Sequence, residues 1–429
     1  MARIQFPWKS RLRFLSIDDF GRKVAKVAGG SVVAQLIMLA ALPLLTRLYP
    51  TAEFGVFGVY GAILAICGTV AGGRYDIAIP IPRKDVEAWQ LLKLTALLCL
   101  VFVVGVIAVF GFWIPSELST LQWCAFLLPF HICCVTCNSA MFQWMCRKNE
   151  FTWVLWSRIT RASVAVFVQL VCGFSVEMRG LVIGSFAGAV ALVVVNFVCI
   201  YRTRPLIEVD RLSLWHVAKR HYRFPSYLLP ANCLNALSRN VPVLIISAFF
   251  GSVNAGYFTV AMRVLGVPLQ LISRSIGQVF YPEAARSYSN SGECVDLFKA
   301  VVKRTFVVGS AGLCIFAVIA PTFMAVVMGD QWREAGYIVQ ILAPLLIIRF
   351  VASPVAAMWI ITEKQALNFV WQVFLIGMIA CGLAFGGMVG KWHGAIAGYG
   401  LSIALAYGIE IFICSGFAKG PRERVVVTN

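Results

Sequence analysis

Long runs of Val, Leu, Ile, Phe, Ala and Gly recur along nearly the whole chain, separated by short stretches where Lys, Arg, Asp, Glu and Pro gather. A run of about 18 or more apolar residues predicts a helix that crosses a bilayer, because about 20 residues rising ~1.5 Å each cover a hydrocarbon core of ~30 Å. Such spans read at roughly 24–46, 54–72, 90–113, 119–145, 152–172, 179–201, 223–250, 255–281, 297–320, 335–361, 366–389 and 393–416. A membrane β-barrel would instead show short alternating segments. The pattern predicts an all-α polytopic membrane protein of about 12 transmembrane helices.

Charge refines this picture. The 429 residues are 60% hydrophobic and 13% charged, with a net charge of +18. In a soluble protein that excess would suggest nucleic acid; here the positive-inside rule gives a simpler account and no nucleic-acid partner is expected. Of the 37 Lys and Arg, 27 fall on the even side of the span map, among them Arg11, Arg13, Arg22, Lys23, Arg83, Arg147, Arg202, Arg220 and Arg304. Only Arg47, Arg179, Arg333 and Lys391 fall on the odd side. The even side, with both termini, is therefore expected to be cytoplasmic. The first apolar run is too long for a secretory signal and lacks a small-residue cleavage site. The segment Phe6 to Phe20 mixes aromatics with Arg and Lys, as a basic anchor along the inner membrane surface does.

The longest connections, 202–222 and 282–296, leave no room for a soluble catalytic domain. The first divides the chain into a basic interfacial segment (1–23), an N-terminal lobe (24–201), a cytoplasmic linker (202–222), a C-terminal lobe (223–416) and a tail (417–429). The lobes echo each other. Pro43-Leu-Leu with Gly55-Val-Phe57 answers Pro242-Val-Leu with Gly256-Tyr-Phe258, and Pro80 answers Pro282. With six spans per copy the repeat is parallel, a layout suited to two lobes rocking around a central cavity.

Six arginines lie inside the spans: Arg158, Arg161, Arg239, Arg263, Arg274 and Arg349. An unpaired guanidinium in hydrocarbon costs roughly 2.5–3.5 kcal/mol on insertion scales, so such residues usually line a watery path. The only acid read at comparable depth is Glu410, with Asp76 at a span end; these two are the candidates for ion coupling. Arg158 and Arg274 lie near the cytoplasmic ends and could instead snorkel to headgroups. Arg239, Arg263 and Arg349 are deepest. Helical spacing sets Arg263, Gln270 and Arg274 on one face, Asn232, Asn235 and Arg239 on another, with Arg158 and Arg161 on the fifth span, Gln35 on the first and His131 with Asn138 on the fourth. A cavity so lined attracts anions, and guanidinium offers a phosphate two parallel donors.

Other chemistry finds little support. Cys133, Cys134 and Cys137 with His131 invite a metal reading, but lie within a span where cysteine behaves as a small hydrophobe, and no second ligand cluster completes a site. No Walker sequence, HExxH or GxSxG occurs, so no cofactor and no catalytic residue is assigned.

Leu45-Thr-Arg-Leu-Tyr-Pro-Thr-Ala-Glu-Phe-Gly-Val-Phe57 and Gly73-Arg-Tyr-Asp-Ile-Ala-Ile79 resemble the start of bacterial polysaccharide flippases of the Wzx type, in the superfamily of multidrug, oligosaccharidyl-lipid and polysaccharide exporters. So does the run from Phe224-Pro-Ser-Tyr through Arg263-Val-Leu-Gly to Phe280-Tyr-Pro-Glu-Ala-Ala-Arg286. The resemblance implies two six-helix lobes around a cavity in the bacterial inner membrane. It also implies translocation of an undecaprenyl-pyrophosphate-linked oligosaccharide to the periplasmic leaflet, with a polysaccharide polymerase and a chain-length regulator as partners. Three alternatives remain: a drug exporter of the same superfamily, a peptidoglycan-precursor flippase, and a membrane polysaccharide polymerase or ligase.

Overall fold

The computed structural model describes residues 17–113, 119–174, 179–204 and 213–420. Twelve α-helices occur among them: α1 (Ile17–Leu48), α2 (Thr51–Ala71), α3 (Asp85–Trp113), α4 (Ser119–Lys148), α5 (Phe151–Phe174), α6 (Gly180–Thr203), α7 (Leu214–Arg220), α8 (Leu229–Ser291), α9 (Val295–Met328), α10 (Arg333–Val355), α11 (Met358–Ile361) and α12 (Gln365–Ala418). No strand occurs among the described residues. Of the interfacial segment expected at Phe6–Phe20, only the start of α1 is described, and the tail beyond 420 lies outside the described residues.

Among the described residues ten helices are long and apolar enough to cross a membrane, and two of them, α8 and α12, each join two expected spans. Straight, the 63 residues of α8 would reach roughly 95 Å, about three times the hydrocarbon thickness. The helix breaks at Gly251, whose φ of 83° suits glycine. Val243 and Thr259, roughly 24 Å apart on a straight helix, both reach the face of Gly58, so the two arms lie side by side. In α12 the break falls at Gly390 and Lys391. Gly382 and Gly386 of its first arm pack directly on Gly394, Gly398 and Ser402 of its second. Small residues four apart let the two backbones touch.

By its internal contacts the chain divides into two compact units. The first comprises 1–40, 71–168 and 183–224. Its core at one end gathers Tyr75, Ile79, Leu91, Trp144, Ile200 and Val217. A turn with Gly73 and Arg74 both at φ 58° leads into it. Asp85 accepts from Arg147 at 2.8 Å and Lys148 at 2.5 Å, tying the start of α3 to the end of α4.

The second unit comprises 41–70, 169–182 and 225–429, so two pieces of the first half of the chain belong to it. Helix α10 is its centre, packed on α8, α9 and α12. The repeat seen in sequence becomes a contact here. Gly55 of α2 and Gly256 of α8 face each other, with a Cβ on either one 3.1 Å from the other's backbone nitrogen. A Cβ on Gly55 would overlap the Ser252 carbonyl, and one on Gly256 the Thr51 carbonyl. The relation is reciprocal at a fixed offset along the chain, as a local two-fold crossing requires. Beside it the Thr46 carbonyl accepts from both Gln331 Nε2 and Trp332 Nε1 at 2.8 Å, and Arg47 donates to the Val326 carbonyl at 3.0 Å. Phe54 meets Trp332 edge-on with ring centroids 4.9 Å apart.

Candidate functional site

In the second unit, Arg239 on the first arm of α8 comes within electrostatic reach of two further arginines, Arg274 on the second arm and Arg349 on α10. Arg349 lies 5.8 Å from the centroid of the Tyr407 ring and has the phenols of Tyr407 and Tyr399 within electrostatic reach. The Tyr407 ring is itself fixed edge-on by Trp371 at 5.4 Å. Arg239 and Arg274 are exposed and Arg349 half-buried. Among the described residues no carboxylate pairs with any of the three. Like charges brought near one another without counter-charge favour an anion, and the fork of a guanidinium matches two oxygens of one phosphate.

The three arginines expected to lie deepest were Arg239, Arg263 and Arg349. Arg263 stands over the Phe57 ring at 4.8 Å, and Arg274 takes the third place beside Arg239 and Arg349. Asn232 spends its amide on the Leu228 carbonyl of its own helix at 2.8 Å. Asn235 is half-buried and Gln270 exposed.

The first unit carries its own polar stripe. Arg158 donates to the Ser31 hydroxyl and lies 5.0 Å from the Phe142 ring. Arg161 is exposed and within reach of Arg158 and His131. His131 is buried, edge-on to Phe186. Asn196 donates to Asn138 at 2.5 Å, and Gln35 is half-buried, its Oε1 without a partner among the described residues. The Cys133 and Cys137 sulfurs lie 3.9 Å apart as free thiols, and no cluster able to hold a metal occurs among the described residues.

The two candidate coupling acids sit in different surroundings. Glu410 of α12 is 2% exposed; Trp359 Nε1 donates to its Oε1 at 2.9 Å, and its Oε2 has no partner among the described residues. Asp76 is engaged by the Ser139 hydroxyl at 2.5 Å and by Arg74 at 3.9 Å. Sequence reading missed a third acid. Glu53 is 7% exposed, in the first turn of α2, and neither carboxylate oxygen has a hydrogen-bond partner among the described residues. The span expected from residue 54 left it in a loop; the helix begins at Thr51 and carries it inward. Its neighbour Tyr49 donates to the Gln169 carbonyl at 2.5 Å, and burial, with Glu53 and Cys172 nearby, raises the Tyr49 phenol well above its ordinary range.

Helices long and apolar enough to cross a membrane, two of them doubled back, define an all-α polytopic membrane fold. The chain belongs to the polysaccharide biosynthesis protein family, whose profile matches residues 44–336. It is similar to the lipopolysaccharide biosynthesis protein WzxC of Escherichia coli (strain K12), 21% identical over 41% of this chain and 36% of that one. It is similar also to the teichuronic acid biosynthesis protein TuaB of Bacillus subtilis (strain 168), 22% identical over 37% and 34%. The succinoglycan biosynthesis transport protein ExoT of Rhizobium meliloti (strain 1021) is 21% identical over 75% of this chain and 66% of its own. The first two alignments thus span about a third of those relatives' lengths. In fold the chain is similar to an inward-facing multidrug resistance MATE family transporter of the MOP superfamily, at a TM-score of 0.64, 13% identity, and 90% and 93% of the two chains. It is similar to the lipid II flippase MurJ in an inward closed conformation at 0.56, 13% identity, and 93% and 86%.

Proposed function

We propose that this protein flips undecaprenyl-pyrophosphate-linked oligosaccharide repeat units from the cytoplasmic to the periplasmic leaflet of the bacterial inner membrane, for assembly of a surface polysaccharide. The observation that carries the reading is the approach of Arg274 and Arg349 to Arg239, with no carboxylate pairing with any of the three among the described residues. A diphosphate supplies the missing negative charge, and the family of polysaccharide biosynthesis proteins supplies the context. An exporter of organic cations would need acids at this place, which speaks against that alternative.

In this reading the arms of α8 and α12 each cross the membrane, giving twelve crossings with both termini cytoplasmic. The lobes 24–201 and 223–416 expose the site to alternate sides. The protein performs no covalent chemistry and needs no cofactor. Arg239, Arg274 and Arg349 hold the diphosphate; Arg263, Arg158, Arg161, Asn232, Asn235, Gln270 and Gln35 wet the glycan's path. Glu410, held on one oxygen only, is better placed than Asp76 to exchange a coupling ion. A polymerase and a chain-length regulator would receive the product.

The test is mass analysis of prenyl-diphosphate-linked glycans, with leaflet assignment, in cells lacking the protein. Complete repeat units held on the cytoplasmic face, with surface polymer lost, are expected. Arg239→Ala at normal protein level should reproduce that state. Unchanged lipid-linked glycans with intact surface polymer would overturn the proposal, and single repeat units at the surface would point to a polymerase.

A further inference from the structure

Glu410 stands on the second arm of α12, one turn beyond Tyr407, whose ring lies under Arg349. It is buried, and its two oxygens differ. Oε1 accepts from the Trp359 indole at 2.9 Å, while Oε2 has no hydrogen-bond partner among the described residues. The groups around it are rings and sulfur. The titratable or charged ones are the Cys414 thiol one turn on, the Cys294 thiol 3.7 Å from the Met358 sulfur, and Lys364, whose ammonium lies 5.7 Å from the centroid of the Phe417 ring. None of these pairs with Glu410, and no cation comes within electrostatic reach of it among the described residues.

An ionised carboxylate so placed is a buried charge without counter-charge, a state that proteins relieve by neutralising the group. A metal cation does not suit the place, since hard cations gather about six or more oxygens. Here the carboxylate meets an indole N–H, which presents a positive end, and sulfur. A proton needs only the one free oxygen.

Trp359 makes this charge matter to the fold. It lies in α11, the single turn between α10 and α12, shortly before Glu363 at φ 57°. Its indole contacts both lead to the second arm of α12: the N–H to Glu410, and the ring edge-on to Phe417 at 5.2 Å, two turns further along. A hydrogen bond to a carboxylate is roughly twice as strong as one to a neutral acceptor. Protonation of Glu410 therefore weakens one of two holds on the turn that follows α10, the helix carrying Arg349.

We infer that Glu410 is a proton-binding site, and that a proton taken up on Oε2 loosens α11 from the second arm of α12. The inference rests on the proposed function, in which Glu410 exchanges the coupling ion, and names that ion as a proton. Its test contains no substrate, so it can fail while the flippase reading stands, and the reverse.

The experiment is infrared difference spectroscopy of the full chain in detergent micelles, stepped from alkaline to acidic buffer, with tryptophan emission recorded alongside. The expected result is a carbonyl stretch of a buried neutral carboxyl that appears in acid, is missing from Glu410→Gln and is kept in Asp76→Asn. In Trp359→Phe the same band should move to higher frequency, because its carbonyl loses the indole donor. That shift identifies the carboxyl independently if Glu410→Gln fails to fold. The emission of Trp359, isolated by subtracting that of Trp359→Phe, should change over the same step and stay flat in Glu410→Gln. Identical difference spectra of the unaltered chain and Glu410→Gln, or a band unmoved by Trp359→Phe, would overturn the inference. A Trp359 response to sodium at constant pH would overturn it in favour of a metal-ion site.

Discussion

The crossing of α2 and α8 at Gly55 and Gly256 gives the sharpest test of the architecture. Replacing Gly55 by Ala puts a methyl group into the Ser252 carbonyl and 3.1 Å from the Gly256 nitrogen. The obstacle is backbone, which cannot swing aside as a side chain could, so the helices must separate. Overpacking of this kind costs typically about 1–3 kcal/mol, and the upper end is expected here. Gly256→Ala should cost the same, because its methyl meets the Thr51 carbonyl in the mirror relation. The double variant should cost clearly less than the sum, since one separation of the helices relieves both clashes. Gly61 on the same helix is the internal control: nothing lies within 4 Å of its Cβ. Gly61→Ala should therefore be neutral or stabilising by up to about 1 kcal/mol through helix propensity. Equilibrium unfolding in mixed micelles of mild detergent and dodecyl sulfate reads all four. Equal effects of Gly55→Ala and Gly61→Ala would refute the close crossing, and strict additivity would refute the shared contact.

Two further outcomes follow from the same unit and one from the other. Trp332→Phe removes one donor from the Thr46 carbonyl and should cost about 1 kcal/mol; adding Gln331→Leu leaves that carbonyl orphaned and should cost more than the two singles together, measured by the same unfolding assay. Tyr49→Phe releases the Gln169 carbonyl. The raised phenol makes Tyr49 bind its proton more tightly in the folded state than in the unfolded one. Its contribution to stability is then present below the unfolded tyrosine value near 10 and falls as pH rises above it, so wild type and Tyr49→Phe should converge in alkaline unfolding titrations. Glu87→Gln loosens Arg220 and His221 and should speed amide exchange across Leu214–Arg220 without altering exchange in α10, read by mass spectrometry.

Much of the fold was legible because a bilayer demands it: an apolar run long enough to cross can hardly be anything else. What the apolar pattern could not show was continuity. At Gly251 and at Gly390–Lys391 one or two residues reverse the chain, and sequence reads the same places as loops between separate spans. The internal echo around Gly55 and Gly256 was legible for a physical reason, since both glycines answer one steric demand. The arginines were legible singly but not as a group. Which of them meet depends on how α8 folds back and where α10 crosses it, so Arg274 joins Arg239 and Arg349 while Arg263 turns to Phe57. Glu53 was missed by a helix start three residues early, enough to carry a carboxylate from a loop into the interior.

The cationic cluster also implies a conflict between stability and transport that can be measured. Arg274 and Arg349 both repel Arg239 in the empty protein, and among the described residues no carboxylate pairs with any of the three. Arginines kept for structure would be bonded to carbonyls or carboxylates, and removing one would leave a buried acceptor unpaired. Arginines kept for an anion behave oppositely. Arg239→Leu should leave the empty protein equally stable or up to about 1 kcal/mol more stable, by relieving repulsion and desolvation, while it abolishes surface polymer in cells. Adding a short-chain prenyl diphosphate should stabilise the unaltered protein by about 2.7 kcal/mol at a hundredfold excess over its dissociation constant, and should leave Arg239→Leu unmoved. A loss of stability in empty Arg239→Leu comparable to that of a core truncation would mean that this arginine is part of the scaffold. Stabilisation by prenyl diphosphate that survives the substitution would place the anion elsewhere.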